Sequence, residues 1–249
     1  MPPTDASADT GAGSGAGFTP RTGGGTEDTL DLRLPEELIA LFGEDGPTAL
    51  EPSPGAAPAG DLLDSPAGWG PAATPAGVFQ LVPVRIERDV SLVSRWMNDP
   101  AVAAFWELAG PESVTAAHLR PQLEGDGRSV PCLGALAGVP MSYWEIYRAD
   151  LDPLARHYPA RPHDTGIHLL LGGVADRGRG VGTALLRAVS DLILDHRPRC
   201  ARVVAEPDLR NTPSVSAFLS AGFRFSAEVD LPDKRAALMV RDRALRDLL

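Results

Sequence analysis

The stretch that decides the fold is "RGRGVGTALLRA", Arg177 to Ala188. Its glycines and arginines run directly into an apolar stripe of Leu185, Leu186, Val189, Leu192 and Ile193. That spacing predicts a helix from about Gly180 to about His196. Just ahead lies "DTGIHLLLGGV", an apolar run of strand length. Strand, Gly-rich turn and helix in that order make an anion site. The free N–H groups of the first helical turn point at the ligand, and the helix dipole favours negative charge. Gly180 and Gly182 let the backbone approach without a Cβ, and Arg177 and Arg179 add charged donors. The expected ligand is a diphosphate. Two common phosphate patterns are not met at this loop: Gly178, Gly180 and Gly182 lead to Leu185 rather than to a third spaced glycine, and no Gly-Lys-Ser/Thr occurs.

Working outward, "GVFQLVPVRI" alternates and predicts a strand from Val78 to Ile86. "DVSLVSRWMND" follows as a helix with Asp89 as N-cap. "PAVAAFWELAG", stopped by Gly110, and "PESVTAAHLRPQL" predict two more helices. "SVPCLGALAG" and "VPMSYWEIYRA" read as a hairpin turned at Gly138, and "ARHYPARPH" as a loop. After the phosphate-loop helix, "CARVVAEP" is a strand. "NTPSVSAFLSAGF" is a helix capped by Asn211 and stopped by Gly222, and "FRFSAEVDLP" and "RAALMVRDR" close the chain as antiparallel strands. This order predicts an α+β fold with a mixed, mostly antiparallel sheet flanked by helices.

Composition divides the 249 residues in two. Residues 1–77 hold 12 Asp/Glu against 2 Lys/Arg, with 14 of the 26 glycines and 11 of the 24 prolines, so the whole net charge of −10 sits there. Such a tract cannot bury enough apolar area to offset chain entropy and is expected to be largely disordered. One island, near 35–42, places Leu34, Leu38, Leu41 and Phe42 at helical spacing. It reads as a short helix docking on the main domain, with recognition of a partner as the alternative. Residues 78–249 form the predicted domain. It is neutral and offers no basic field for nucleic acid. Cys132 and Cys200 lack metal-ligand spacing and read as reduced core thiols in strands; no metal is expected. No apolar run is long enough to span a membrane and no signal peptide is evident, so a cytoplasmic protein is expected.

Arg177-x-x-Gly180-x-Gly182 resembles the R/Q-x-x-G-x-G/A signature of the GNAT acyltransferase superfamily, and the element order of 78–249 matches it throughout. The resemblance implies that the loop holds the pyrophosphate of acetyl-CoA or another acyl-CoA. The cofactor contacts it implies are Leu170, Arg177, Arg179, Gly180, Val181, Gly182, Thr183 and Asn211, with an oxyanion donor among the Leu169–Leu171 peptides. Three further stretches, "WMNDPAVAAFW", "DTGIH" and "VVAEPDLRN", resemble the GNAT subgroup that acylates N-hydroxylated lysine or related side chains in hydroxamate siderophore assembly, as in the aerobactin and mycobactin pathways. In that subgroup the His of D-x-G-x-H and the Asp of E-P-D-x-R-N are the proposed catalytic pair, matching His168 and Asp208. Singly, His168 would be a satisfied core histidine and Asp208 a turn cap; their joint occurrence beside the phosphate loop makes them candidates. Acyl transfer from a thioester needs a neutral nitrogen, a place for its proton and donors for the oxyanion.

Trp96, Asn98, Trp106 and Trp144 are the candidate acceptor contacts, walls for the long methylene stem of a small-molecule amine or hydroxylamine. The tail is a candidate contact for other siderophore-pathway enzymes. Many GNAT enzymes carry a tyrosine acid at the position of Phe218, so thiolate protonation here must come from elsewhere. The rival reading is an aminoglycoside 6'-N-acetyltransferase. Its polycationic acceptor calls for a carboxylate-rich pocket, whereas the stretches singled out here are aromatic with few acids. A non-catalytic acyl-CoA-binding module would be favoured by loss of His168 or Asp208, and both are present.

Overall fold

The chain is described by a computed structural model, which covers Leu63 and residues 66–248. The candidate helix near 35–42, and the tail's expected disorder and partner contacts ahead of Leu63, lie outside the described residues. The strands are β1 (Ala72–Thr74), β2 (Gly77–Pro83), β3 (Ser129–Leu136), β4 (Val139–Arg148), β5 (Thr165–Leu171), β6 (Arg202–Ala205), β7 (Arg224–Asp230) and β8 (Arg235–Asp242). The helices are α1 (Ile86–Met97), α2 (Pro100–Trp106), α3 (Glu112–Leu123), α4 (Val181–His196) and α5 (Thr212–Ser220).

All eight strands form one sheet in the order β1-β2-β3-β4-β5-β6-β8-β7. Every pairing is antiparallel except β5 with β6, so the sheet is mixed and mostly antiparallel. The folded domain takes in residues before 78. Leu63 and Trp69 are buried, Trp69 stacks on His196, and Ala72–Thr74 extends the sheet edge. Low apolar content hid these residues, which dock by two buried side chains and a three-residue strand.

The apolar stripe of α4 packs on one sheet face. Leu185, Leu186, Val189 and Ile193 join Trp144, Ile146, Ile167 and Phe218 there in the largest core cluster. Burying each such aliphatic side chain contributes about 1.5–3 kcal/mol. The opposite face is covered by α1 and α3, whose Val93, Met97 and Leu119 pack on Val84, Leu133, Tyr143 and Leu170. α1 begins three residues before the expected Asp89 cap. Asp89 lies inside the helix, where its Oδ2 reaches back to accept the Arg85 N–H at 2.9 Å. Asp99 caps α2, which stops at left-handed Glu107 rather than at Gly110. Cys132 and Cys200 are buried free thiols; Cys200 precedes β6 instead of lying in it. Among the described residues, no helix is long and apolar enough to cross a membrane.

Candidate active site

β5 and β6 pair in parallel only through Thr165–Val203 and Gly166–Val204. Beyond that the two strands part. β5 stays on β4 through Leu171, while the chain after β6 bends toward β8, where Ala237 donates to the Pro207 carbonyl and Asp208 bridges Ala236. A cavity of about 280 Å³ opens between them, near the low end of small-molecule sites. Ile167, His168 and Leu169 line one wall, Ala205 to Asp208 the other, and Phe105, Trp106 and Leu108 close it.

Strand alternation puts Tyr143, Glu145 and Tyr147 of β4 on the same face as His168, with Glu145 directly opposite His168 in the ladder. Gly166 is required here: a Cβ on it would sit 2.1 Å from the Tyr147 ring. The bare glycine lets that ring lie flat, and its hydroxyl donates to Glu206 Oε2 at 2.8 Å. His168 is held on both sides. Its Nδ1 lies 2.9 Å from Glu145 Oε2, and its Nε2 contacts Glu206 Oε1. Glu145 Oε1 also meets His118 Nε2 at 2.5 Å, Tyr143 Oη at 2.8 Å and Gln122 Nε2 at 2.9 Å. Lys234 Nζ lies 3.7 Å from Glu206 Oε1.

An ionised carboxylate only accepts hydrogen bonds, so both ring nitrogens of His168 must carry protons. Burial works against that charge, but the Glu206 and Glu145 carboxylates outweigh it and hold the His168 pKa up at about 10. Burial likewise opposes ionisation of Glu206, yet the adjacent imidazolium holds its pKa down at about 2. Glu145 is kept below the usual carboxylate range against its burial by His118 and His168. Burial, then Glu206, pushes the Tyr147 phenol well up. The centre is an imidazolium between two carboxylates, capped by two protonated tyrosines.

The expected residues are distributed differently from their motifs. Asp208 lines the cavity but does not meet His168. Its carboxylate is taken by Arg210, through the backbone N–H at 2.7 Å and the guanidinium Nη2 at 2.7 Å, and that bond, over a smaller burial effect, lowers its pKa. Glu206 stands where Asp208 was expected, because Pro207 separates them and the chain has already bent toward β8. Trp106 lines the cavity with its ring edge-on to His168, centroids 6.0 Å apart. The other three acceptor candidates do not line it. Trp144 is in the core on the opposite sheet face, donating to Ser142 Oγ at 2.9 Å. Trp96 packs against Gly172 at the end of β5. Asn98 spends its amide on the Gly110 loop, donating to its carbonyl at 2.9 Å and accepting its N–H at 3.0 Å.

Around the Gly-rich loop, Gly180 is the N-cap of α4 with φ of 78°, and no side chain caps the helix. The N–H groups of Val181, Gly182 and Thr183 belong to that uncapped first turn. Arg179 is exposed beside it. Arg177 is committed elsewhere. Its guanidinium donates to the Leu171 carbonyl at 2.9 and 3.1 Å and pairs with Asp99 at 3.0 Å. The carbonyls ending β5 need donors, and Arg177 supplies them, so it anchors the loop rather than adding free charge to it. The Leu170 side chain is 4% exposed within the α1/α3 cluster, so any ligand contact it makes runs through its main chain. Asn211 lines the cavity and caps α5 by accepting the Ser214 N–H at 3.2 Å. Phe218, also lining it, puts a hydroxyl-free ring on Phe223.

Residues 85–231 match the family described as the acetyltransferase (GNAT) domain. The chain belongs to the GNAT acetyltransferases. It is 38% identical over 159 residues to lysine N-acyltransferase MbtK of Mycolicibacterium paratuberculosis, covering 64% of this chain and 72% of that one. It is also 38% identical over 155 residues to N(6)-hydroxylysine O-acetyltransferase of Escherichia coli, covering 62% of this chain and 49% of that one. Among solved structures, an uncharacterized protein of Bacillus halodurans superposes with a TM-score of 0.66 at 33% identity, over 72% of this chain and 94% of that one. Aminoglycoside acetyltransferase AAC(6')-Ib in complex with coenzyme A shares the fold, with a TM-score of 0.59 at 23% identity over 68% and 98%. By family this GNAT protein is an acyl-CoA-dependent acyltransferase.

Sequence reasoning missed Glu145, Glu206, His118 and Lys234. A charged residue amid the aromatics of "YWEIY" was the available signal, since an unpaired carboxylate does not sit in a buried strand. The expectation of a pocket with few acids is overturned. Glu145, Glu206, Asp208 and Asp233 all line the cavity, so acidity no longer separates the two acceptor classes. Three of these carboxylates are matched by His118, His168, Lys234 and Arg210.

Proposed function

We propose that this GNAT protein transfers an acyl group, acetyl from acetyl-CoA, to the hydroxylated nitrogen of an N-hydroxylysine or N-hydroxydiamine side chain, making a hydroxamate for iron chelation. The observation that carries this reading is the doubly hydrogen-bonded His168. An imidazolium cannot be a base, so the proton acceptor in the cavity is a carboxylate, Glu206. A carboxylate is too weak a base to strip an alkylammonium, whose pKa is about 10. It suits a nucleophile that is already neutral at pH 7, and a hydroxylamine nitrogen is neutral there. The names of two relatives, N(6)-hydroxylysine O-acetyltransferase and hydroxyornithine transacylase, support the same acceptor class.

In this reading acyl-CoA enters the gap between β5 and β6, with its pyrophosphate on the first turn of α4 and a Leu169–Leu171 peptide N–H on the carbonyl oxygen. Trp106 and Phe105 hold the methylene stem of the acceptor. The nitrogen attacks the thioester carbonyl. Its proton passes to Glu206, His168, fixed by Glu145, stabilises the charge that moves, and the C–S bond breaks to release CoA, whose thiolate is protonated by water. Asp208 positions the loop through Arg210. The reaction belongs in the cytoplasm, where acyl-CoA is made, and needs no metal. Because aminoglycoside enzymes share the fold and the cavity is acidic, the test includes their substrate. Thiol release from acetyl-CoA is measured with N6-hydroxylysine, N-hydroxycadaverine, lysine and kanamycin. Turnover with a hydroxylamine and not with lysine supports the proposal; turnover with kanamycin alone refutes it.

A further inference from the structure

Lys234 is the single lysine of the 249-residue chain. It sits in the turn between β7 and β8, its side chain lines the active-site cavity, and its amine is 3.7 Å from Glu206 Oε1. The side chain is 22% exposed, and its amine faces a buried carboxylate that lines the same cavity. An ε-amine on a four-carbon stem is also the chemical class from which the proposed acceptors derive. The chain therefore carries a built-in analogue of its acceptor, tethered against the carboxylate that takes the acceptor's proton.

We propose that Lys234 is a self-acylation site, modified by acyl-CoA when the cavity holds no acceptor. The inference rests on the acyl-CoA reading above. The Lys234 ammonium first loses one proton to solvent, in a small fraction of molecules; the neutral amine then attacks the thioester carbonyl, and its second proton passes to Glu206. The C–N bond forms as the C–S bond breaks, and CoA leaves as the thiol. One acyl group moves from sulfur to nitrogen and one proton is released to solvent. The resting ion pair makes this slow beside transfer to a neutral hydroxylamine. Its product is a neutral amide that no longer pairs with Glu206 and fills the acceptor cavity with an acyl group. Excess acyl-CoA without acceptor thus shuts the enzyme down.

The test is incubation of the full chain with acetyl-CoA and no acceptor, followed by intact mass and peptide mapping, with turnover on N6-hydroxylysine measured in parallel. One acetyl group is expected on the Lys234 peptide. It should form at least about tenfold faster in the folded chain than in urea, as proximity requires, be absent in Lys234→Arg and be slowed in Glu206→Gln. Turnover of the wild type should fall in step with the adduct. Lys234→Arg, measured against its own untreated rate, should not decline. An unmodified Lys234, or equal rates in folded and unfolded chain, overturns the proposal whatever the acceptor assay gives. Silence of every acceptor, read separately, overturns the acyl-transfer reading.

Discussion

Replacing Glu206 by glutamine keeps the side chain's shape and an acceptor oxygen for His168 Nε2 but removes the charge. At about 4 Å and an effective dielectric near 20, two unit charges attract by about 4 kcal/mol. The His168 side chain is 34% exposed, so solvent screening reduces this to about 2 kcal/mol. At about 1.4 kcal/mol per unit, the His168 pKa should drop by about 1.5 from its present value of about 10. The variant also lacks its proton acceptor, which is worth about 10²–10⁴ in rate. Thiol release with N6-hydroxylysine should show kcat lowered at least 100-fold with KM for acetyl-CoA close to wild type. The residual rate should rise with pH as His168 now deprotonates and substitutes as base. The imidazole pKa can be followed by NMR. A kcat within about fivefold of wild type, or an unmoved His168 pKa, refutes the assignment of Glu206.

Asp164 is fully buried and holds Arg202 at 2.8 and 2.9 Å and the Tyr158 hydroxyl at 3.0 Å; Asp164→Asn strands a buried guanidinium and should cost about 3–5 kcal/mol in denaturant melts. Gly180→Val forces a β-branched residue to φ of 78°, costing about 1–2 kcal/mol, and should raise KM for acetyl-CoA more than KM for the acceptor. The His168–Glu206 pair sets a pH window. The raised histidine pKa of about 10 stabilises fully below its unfolded value near 6.5 and is lost as pH climbs through 10, while the lowered glutamate pKa of about 2 stabilises fully above about 4.3 and is lost toward 2. The difference in melting temperature between wild type and His168→Ala should accordingly be largest between about pH 4.3 and 6.5.

The Gly-rich turn and the helix after it were legible because their signal is local. Glycines, a missing cap and an apolar stripe all lie within twenty residues of one another, and helix α4 begins within a residue of the expected position. The sheet's mixed character was legible for the same reason, from the alternation of strands and helices after Thr165. The candidate site was only half legible. His168 stood out as a polar residue in an apolar strand, but its partners come from β4 and the end of β6, 23 and 38 residues away. Only pairing register brings Glu145 opposite His168, and register is not written in either strand alone. Asp208 and Glu206 are two residues apart in one motif, and the bend at Pro207 decides between them. The partners of Arg177 were not legible, because the carbonyl ending β5 and the Asp99 carboxylate that hold its guanidinium are brought to it only by the fold. Trp144 misled because alternate strand residues face opposite ways.

The measurement that bears most directly on the whole account is the identity of the product formed from acetyl-CoA and N6-hydroxylysine. The account predicts an N-acetyl hydroxamate, recognised by its coloured ferric complex and by mass, with lysine itself left unacylated under the same conditions. Acylation of lysine at a comparable rate would contradict it, as would an ester on the hydroxyl oxygen with no ferric complex.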